Sequence, residues 1–275
     1  MGFRCHMITD LVAFGDSWTY GSELYDPMVQ ENFGDFDSRN DAYRLAHAWP
    51  ARLANRLDVR SVVNLGTPAR SNDTICRDLR TWLASQGFLT GRDCSRHMIC
   101  IGWTSPERRD FYFKSSDAPR NPDQGWMTMY PLWSHDYAHP ALNQFSRLYV
   151  EHFWHAEEYM QRWIWQLLDT QHLLTHLGFK WIMFQAFYQH HHKLIAEWDD
   201  ATYADRSDMS PHLVTTWRSL DADRFMHRDE QKHTFHNHIS GGARMFNGNH
   251  PSELGHDAWA EHMASWIEAK RLACA

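Results

Sequence analysis

A serine in a tight turn and a distant histidine are the residues of this sequence best suited to catalysis. Ser17 follows the short apolar run 11–14 and lies in Gly-Asp-Ser, while His250 lies in Asn247-Gly-Asn-His250-Pro251, a loop that leads into the last helical segment. A serine hydroxyl is a weak nucleophile until an adjacent base activates it, and imidazole is the usual base. The pair therefore predicts acyl-transfer chemistry at a site to which both ends of the chain contribute.

Two sequence blocks carry a family resemblance. Residues 14–21, Phe-Gly-Asp-Ser-Trp-Thr-Tyr-Gly, and the block around His250-Pro251 resemble the first and last blocks of SGNH/GDSL hydrolases. The resemblance implies an esterase in which Ser17 is the nucleophile and His250 the base. His256, six residues further on, is the alternative base.

The acidic partner of the histidine is the first departure from the family pattern. The family has an aspartate three residues before the histidine, and this chain has Asn247. An amide oxygen can orient imidazole but adds no charge to stabilise imidazolium. Three options stay open: a Ser-His dyad with Asn247 as orienting residue, a different carboxylate such as Asp223 or Glu253, or slow turnover.

The oxyanion-binding donors show the second departure. The segment around Gly66 resembles the family's second block, and glycine lets the main chain approach a tetrahedral intermediate closely. The third block usually ends in Gly-x-Asn-Asp, where this chain has Gly102-Trp103-Thr104-Ser105. The side-chain donor is therefore predicted to be Thr104 or Asn72, and Asn72 is equally typical of a helix N-terminus.

Apolar periodicity predicts the elements that position these residues. Short apolar runs predict strands, and longer amphipathic stretches predict helices, with Pro50 expected to kink or split the first long one. The strands are expected at 11–14, 61–65, 97–101 and 180–186, and the helices at 42–57, 71–83, 143–177 and 257–272. This alternation predicts an α/β, flavodoxin-like doubly wound fold, a mostly parallel sheet flanked by helices. Ser17, Gly66 and Thr104 each follow a strand, where such sheets bind ligands.

Two segments exceed what this minimal fold needs. Residues 105–139 are rich in proline, glycine and aromatic residues, and residues 190–249 are polar and rich in histidine. Both are predicted to be long loop insertions in a single domain that spans residues 1–275. The run His190–His192 lacks a zinc-type spacing, and His233, His236 and His238 are predicted to be surface residues. No metal and no cofactor is assigned, since Ser-His chemistry needs neither.

Composition restricts the partners and the compartment. The formal charge of −7, from 27 basic and 34 acidic residues, comes without a dense basic stripe, so nucleic acid is not an expected partner. Five unpatterned cysteines and the lack of a signal sequence or membrane span predict a cytoplasmic protein. The expected partner is a small-molecule or carbohydrate ester substrate, and the 14 tryptophans favour an O-acetylated sugar. The oligomeric state is left open.

Two other functions compete with the hydrolase. A transferase on the same fold would pass the acyl group to a sugar hydroxyl instead of water. A non-catalytic binding or structural module, of the kind found in viral and mobile-element proteins, would explain why Asn247 and Thr104 depart from the family pattern.

Overall fold

The computed structural model describes residues 8–28, 36–113, 125–130, 139–187, 211–228, 233–242 and 244–273. Four parallel strands form its central sheet. The first six strands in chain order are β1 (Asp10–Phe14), β2 (Ser61–Asn64), β3 (His97–Trp103), β4 (Arg109–Tyr112), β5 (Trp126–Met129) and β6 (Lys180–Gln185). The central sheet has the order β2-β1-β3-β6 with every neighbouring pair parallel. This is the strand order with which flavodoxin-like sheets begin, so the predicted fold class is confirmed.

Nine α-helices and two short 3₁₀ helices, Ser38–Asn40 and Phe88–Thr90, are found in the described residues. The α-helices are α1 (Ser17–Tyr20), α2 (Asp41–His47), α3 (Trp49–Arg56), α4 (Asn72–Ser85), α5 (Pro140–His152), α6 (Ala156–Leu177), α7 (Pro211–Arg218), α8 (Phe235–Ile239) and α9 (Glu253–Ala269). A short antiparallel hairpin, β7 (Phe246–Asn247) and β8 (His250–Pro251), precedes α9. Within the described ranges, no helix combines the length and apolar character needed to cross a bilayer.

The two faces of β1 contribute side chains to two separate hydrophobic cores. Leu11 and Ala13 pack into a core with α3 and α9, while Val12 and Phe14 pack into a core with α4, α6 and α7. Successive strand residues point to opposite faces, so a strand covered on both sides must be apolar throughout. Complete burial of each large side chain stabilises the fold by about 1.5–3 kcal/mol. This is why the continuous apolar run predicted the strand correctly.

The long predicted helices are divided in the structure. The segment 42–57 splits at Ala48, whose extended backbone (φ −66°, ψ 152°) ends α2, and Pro50 then occupies the first turn of α3 where its missing N–H is tolerated. The segment 143–177 breaks after α5, because His155 is extended and its Nδ1 accepts a hydrogen bond from the Glu157 N–H at 3.2 Å. Capping by histidine is not visible in apolar periodicity.

The predicted loop at 105–139 contains a small sheet. β4 and β5 pair antiparallel, and Asp110 of β4 is buried against α4. Its carboxylate accepts hydrogen bonds from Ser71 (2.6 Å) and Thr128 (2.8 Å) and pairs with Arg77 at 3.1 Å. A strand whose inward residue is charged gives no apolar alternation, so the pattern predicted a loop. The run His190–His192 lies outside the described residues.

Candidate active site

The proposed nucleophile lies at the carboxyl edge of the central sheet. Ser17 is the first residue of α1, directly after β1, and its side chain is mostly buried. Asp16 caps the helix by accepting a hydrogen bond from the Trp18 N–H at 3.0 Å, and Gly21 ends it in the left-handed conformation (φ 89°). The strand, cap and single helical turn therefore fix the Ser17 side chain at the edge where a ligand can enter.

The loop after β2 packs directly against α1. A Cβ atom on Gly66 would lie 2.5 Å from the Tyr20 nitrogen, which no ordinary contact allows. The Gly66 N–H donates to Asn64 Oδ1 at 3.0 Å, while Asn64 Nδ2 donates to the Thr19 carbonyl at 2.8 Å. Glycine is thus required at residue 66 for close approach, and its N–H is held by Asn64 in this structure.

His250 approaches the same edge from the other end of the chain. It begins β8, and β8 lies against α1 with Cα atoms of the two elements within 8 Å. Phe246 on the paired strand contacts Trp18, with ring centroids 5.9 Å apart. The charge of His250 also acts on the buried Asp16 carboxyl and opposes the rise of its pKa. The fold therefore brings Ser17 and His250 to the same region, although they are 233 positions apart in sequence.

The carboxylate beside His250 belongs to Glu23. Its Oε1 lies 3.1 Å from His250 Nδ1, which is within ion-pair distance. The two groups are not aligned well enough to form a regular hydrogen bond. Glu23 adopts the left-handed backbone region (φ 64°), which is unfavourable for a residue with a Cβ atom. Strained residues of this kind concentrate at functional sites. A Cβ on Gly248 would lie 2.8 Å from Glu23 Oε2, so the hairpin turn fits closely over this carboxylate.

Sequence reasoning missed Glu23 and expected Asn247 next to the imidazole. The Asn247 side chain is exposed, and its Nδ2 donates to the Glu23 backbone carbonyl at 3.1 Å. It therefore supports the segment that carries the carboxylate, and Glu23 has the position at Nδ1 that was expected for Asn247. The local sequence around Glu23 offers little to predict its role, beyond an acidic residue two positions after Gly21, which is left-handed in the structure.

The two alternative carboxylates are engaged elsewhere. Glu253 accepts hydrogen bonds from Tyr43 and lies 2.7 Å from His47 Nδ1. Asp223 pairs with Lys270 at 2.5 Å. Neither has a contact to His250 among the described interactions.

The alternative base His256 is buried in the core. Its Nδ1 accepts a hydrogen bond from the Trp49 N–H at 3.2 Å, and its side chain is fully excluded from solvent. Burial lowers the pKa of His256 to about 3, so it is neutral at physiological pH. A packed imidazole of this kind has no access to a substrate.

Thr104 and Asn72 are linked to each other. Asn72 Oδ1 accepts from the Thr104 N–H at 3.0 Å, and Asn72 Nδ2 donates to the Thr104 carbonyl at 3.1 Å. The Thr104 hydroxyl is buried, and it lies near enough to Asp16 to affect the pKa of that carboxyl without a well-aligned hydrogen bond. Asn72 therefore fixes the chain after β3, and its amide is occupied by the Thr104 main chain.

A buried ion pair lies beneath the serine turn. Arg108 Nη1 is 3.5 Å from Asp16 Oδ2 and donates to the Arg70 carbonyl at 3.1 Å. Burial raises the pKa of Asp16, and the positive charge of Arg108 opposes that rise. The pair joins the turn before α1 to the segment that follows β3.

Among the described residues, most tryptophans belong to the hydrophobic cores and do not form an exposed sugar-stacking surface. Six of them are fully buried, namely Trp49, Trp103, Trp163, Trp181, Trp217 and Trp259. Trp126 and Trp165 are the exposed ones among the described residues. High tryptophan content therefore reflects the cores, and it gives little support to a preference for sugars.

Fold and site together define an α/β protein with a serine, a histidine and a carboxylate at the carboxyl edge of its parallel sheet. Residues 29–274 match the model of DUF6071, a family of unknown function, and the chain belongs to that family. The sequence matches no curated protein.

Several solved structures resemble the chain distantly. A carbohydrate esterase family 2 enzyme from Corynascus thermopiles has 13% identity and a TM-score of 0.48, with 95% of this chain and 66% of that one covered. The psychrotrophic esterase EstA of Pseudoalteromonas has 9% identity and a TM-score of 0.45, with coverage of 94% and 99%. A member of the lipolytic G-D-S-L family from Veillonella parvula has 12% identity and a TM-score of 0.41, with coverage of 94% and 96%. Likeness this low carries no argument about function, which must come from the site's own residues.

Proposed function

We propose that this protein is a serine hydrolase that cleaves a small acyl ester through an acyl-enzyme intermediate. The observation that carries the proposal is the meeting of three side-chain types at one sheet edge: Ser17 on α1, His250 on the adjoining β8, and Glu23 with Oε1 3.1 Å from His250 Nδ1. Nucleophile, base and charged orienting group are the parts that acyl transfer needs.

In the first half of the proposed reaction, Ser17 Oγ attacks the ester carbonyl carbon and His250 Nε2 accepts the hydroxyl proton. The resulting imidazolium is stabilised by the Glu23 carboxylate at Nδ1. The ester C–O bond then breaks, and His250 returns the proton to the departing alkoxide. Alcohol leaves and the acyl group stays on Ser17.

In the second half, water replaces the alcohol. His250 accepts a proton from a water molecule while the water oxygen attacks the acyl carbon. The bond between Ser17 Oγ and the acyl carbon then breaks. The proton returns to Ser17 and a carboxylic acid is released. The acyltransferase alternative differs only in that a sugar hydroxyl attacks in place of water.

The oxyanion of each tetrahedral intermediate needs hydrogen-bond donors. The Ser17 N–H is available because the first N–H groups of a helix have no partner within it. The Thr104 hydroxyl is buried without a well-aligned acceptor, which supports it as the side-chain donor. The Gly66 N–H would be shared with, or released by, Asn64 Oδ1. Asn72 acts by positioning Thr104.

Covalent labelling tests the proposal directly. Folded protein is incubated with a fluorophosphonate probe near neutral pH, and the adduct is located by peptide mass spectrometry. We expect labelling of Ser17, loss of labelling in Ser17→Ala, and unchanged labelling in Ser85→Ala, a control at an exposed serine of α4. An unlabelled Ser17 in folded protein would favour the non-catalytic binding module.

Substrate assays separate the reaction types. Release of p-nitrophenol from p-nitrophenyl acetate and of acetate from an O-acetylated carbohydrate would be measured with and without an unacetylated sugar acceptor. Hydrolysis predicts free acetate in both cases, whereas an acyltransferase would acetylate the acceptor. Activity on neither ester would overturn the substrate class but not the labelling result.

A further inference from the structure

Four histidines form a cluster that the proposed reaction does not use. His262 projects from α9 and His238 from α8, while His227 and His233 lie in the segment between α7 and α8. We refer to these four residues as the histidine cluster. They are separated by up to 35 positions in sequence, so the cluster is a product of the fold.

The nitrogen atoms of three of the rings are close enough together to share one metal ion. Ligand nitrogens of His227, His233 and His262 all lie within 4.8 Å of one another, and the Nε2 atoms of His227 and His262 are 2.8 Å apart. Two nitrogens bound to one tetrahedral zinc ion at 2.0–2.1 Å are about 3.3 Å apart. The rings of His233 and His262 lie nearly parallel to that of His227, at interplanar angles of 21° and 6°, so the rings must rotate for all three nitrogens to point at one ion.

We propose that His227, His233 and His262 bind one Zn²⁺ or a similar first-row divalent ion. Three imidazoles match the ligand preference of such ions and leave a fourth position open. His238 stacks on His262, with ring centroids 4.2 Å apart, and holds that ring in place.

Two tryptophans border the histidine cluster. Trp266 contacts His227 (4.6 Å between centroids) and Trp259 contacts His262 (5.4 Å), so two indoles partly shield the rings from water.

The cluster is separate from the candidate active site. His262 is nine residues beyond Glu253, the first residue of α9, which corresponds to about 13 Å along the helix axis. A bound ion would join α9 to the segment that runs through α8 toward the hairpin of His250. The proposal concerns stability and placement of this segment, and it does not depend on the esterase activity.

Metal titration of the untagged full chain tests the site. Protein stripped with a chelator and dialysed would be titrated with ZnCl₂ by calorimetry, and loaded with Co²⁺ to detect tetrahedral coordination by its visible absorption. We expect one ion per chain and a melting temperature that rises with Zn²⁺. His233→Ala and His262→Gln should each weaken binding by at least about 100-fold, since even outer-shell losses cost about 10–100-fold.

Two controls keep the outcome decisive. His172→Ala removes an exposed histidine of α6 and should leave binding unchanged. Replacing His190, His191 and His192 together by alanine should also leave it unchanged. Absence of stoichiometric binding, or binding lost only in that triple variant, overturns the proposal. Circular dichroism confirms that each variant is folded, and His233→Ala provides a test at a partly exposed residue if His262→Gln does not fold.

Discussion

The most consequential single residue of the candidate site is Glu23. It keeps an unfavourable left-handed backbone, and its Oε2 is buried without a well-aligned donor, while Oε1 faces His250. In the proposed reaction, a carboxylate so placed gains a partner when the imidazole becomes charged.

Substitution of Glu23 separates its role from that of Asn247. Glu23→Gln keeps the size of the side chain but removes the charge, and we expect kcat to fall by about 10²–10⁴, in the range of related acid-to-amide changes. Asn247→Ala, the matched control, should change kcat by only a few-fold because its amide contacts a backbone carbonyl. Steady-state hydrolysis of p-nitrophenyl acetate measures both. Equal losses of kcat in Glu23→Gln and Asn247→Ala would assign the orienting role to Asn247.

At this scale, sequence could reveal the residues that lie in recognisable local patterns. Ser17 and His250 can be proposed from their turns, whereas Glu23 cannot, because its partner is distant in sequence and its own segment has no motif. Asn247 was chosen for its spacing from His250. Spacing in a two-residue hairpin does not determine which way the side chain points, and here the amide turns to the Glu23 carbonyl.

Thr104 offers a test in which activity and stability should diverge. Thr104→Val replaces the hydroxyl by a methyl group of similar size. We expect kcat to fall by about 10²–10³, the usual cost of one oxyanion donor. The melting temperature should change little, because the hydroxyl makes no well-aligned hydrogen bond and only a weak interaction with Asp16 is lost. A parallel drop in both quantities would assign Thr104 a structural role.

At the scale of elements, the site depends on how closely α1 and the loop after β2 approach each other. Glycine at residue 66 permits this contact, since any Cβ there would collide with the α1 backbone. The main-chain atoms of α1 cannot move aside as the end of a flexible side chain can. The Ser17 turn and the Gly66 loop are therefore positioned as one unit at the sheet edge.

Gly66→Ala should disrupt that unit. We expect a loss of about 1–3 kcal/mol in the free energy of unfolding, the usual cost of overpacking, together with reduced labelling of Ser17. Gly241→Ala is the control, because a Cβ there meets no atom within 4 Å. Urea denaturation compares the two variants. A stable, fully labelled Gly66→Ala protein would show that the loop can move away from α1.

Secondary-structure elements could be predicted from sequence where their burial follows a simple apolar pattern. Three of the four central strands, β1, β3 and β6, follow from apolar runs that are buried on both faces, and α4 and α9 follow from amphipathic periodicity. The edge strand β2 was also predicted from its apolar run, although Val62 and Val63 are exposed. The strand β4 was not predicted, because Asp110 is buried by hydrogen bonds that only the folded chain supplies. The break between α5 and α6 was missed because its cap is a histidine side chain.

For the molecule as a whole, the parallel sheet brings residues that are distant in sequence together at one site. Both cores are anchored on the same strand, β1, and the serine turn follows that strand directly. The C-terminal hairpin returns to this edge because α9 packs beside α3 in the same core as Leu11. The placement of His250 and global stability are therefore coupled through α9, whose first turns bury His256.

Buried histidine should make the whole molecule sensitive to acid. The pKa of His256 is about 3 in the folded chain and 6.5 when unperturbed, so the unfolded state binds the extra proton between these values. Stability should consequently fall as pH drops below about 6.5, by at most about 1.4 kcal/mol per pH unit from this residue. Asp16, whose pKa burial raises, acts in the opposite direction above its ordinary value of 3.8.

A matched variant isolates the contribution of His256. His256→Gln keeps an acceptor for the Trp49 N–H but cannot be protonated. Urea denaturation at pH 7, 6 and 5 should give the native protein a steeper decline in unfolding free energy than the variant. The difference between the two slopes should approach about 1.4 kcal/mol per pH unit, while Asp16 contributes equally to both proteins and cancels. Parallel slopes would mean that His256 is protonated within the folded chain, and that α9 opens to solvent at mildly acidic pH.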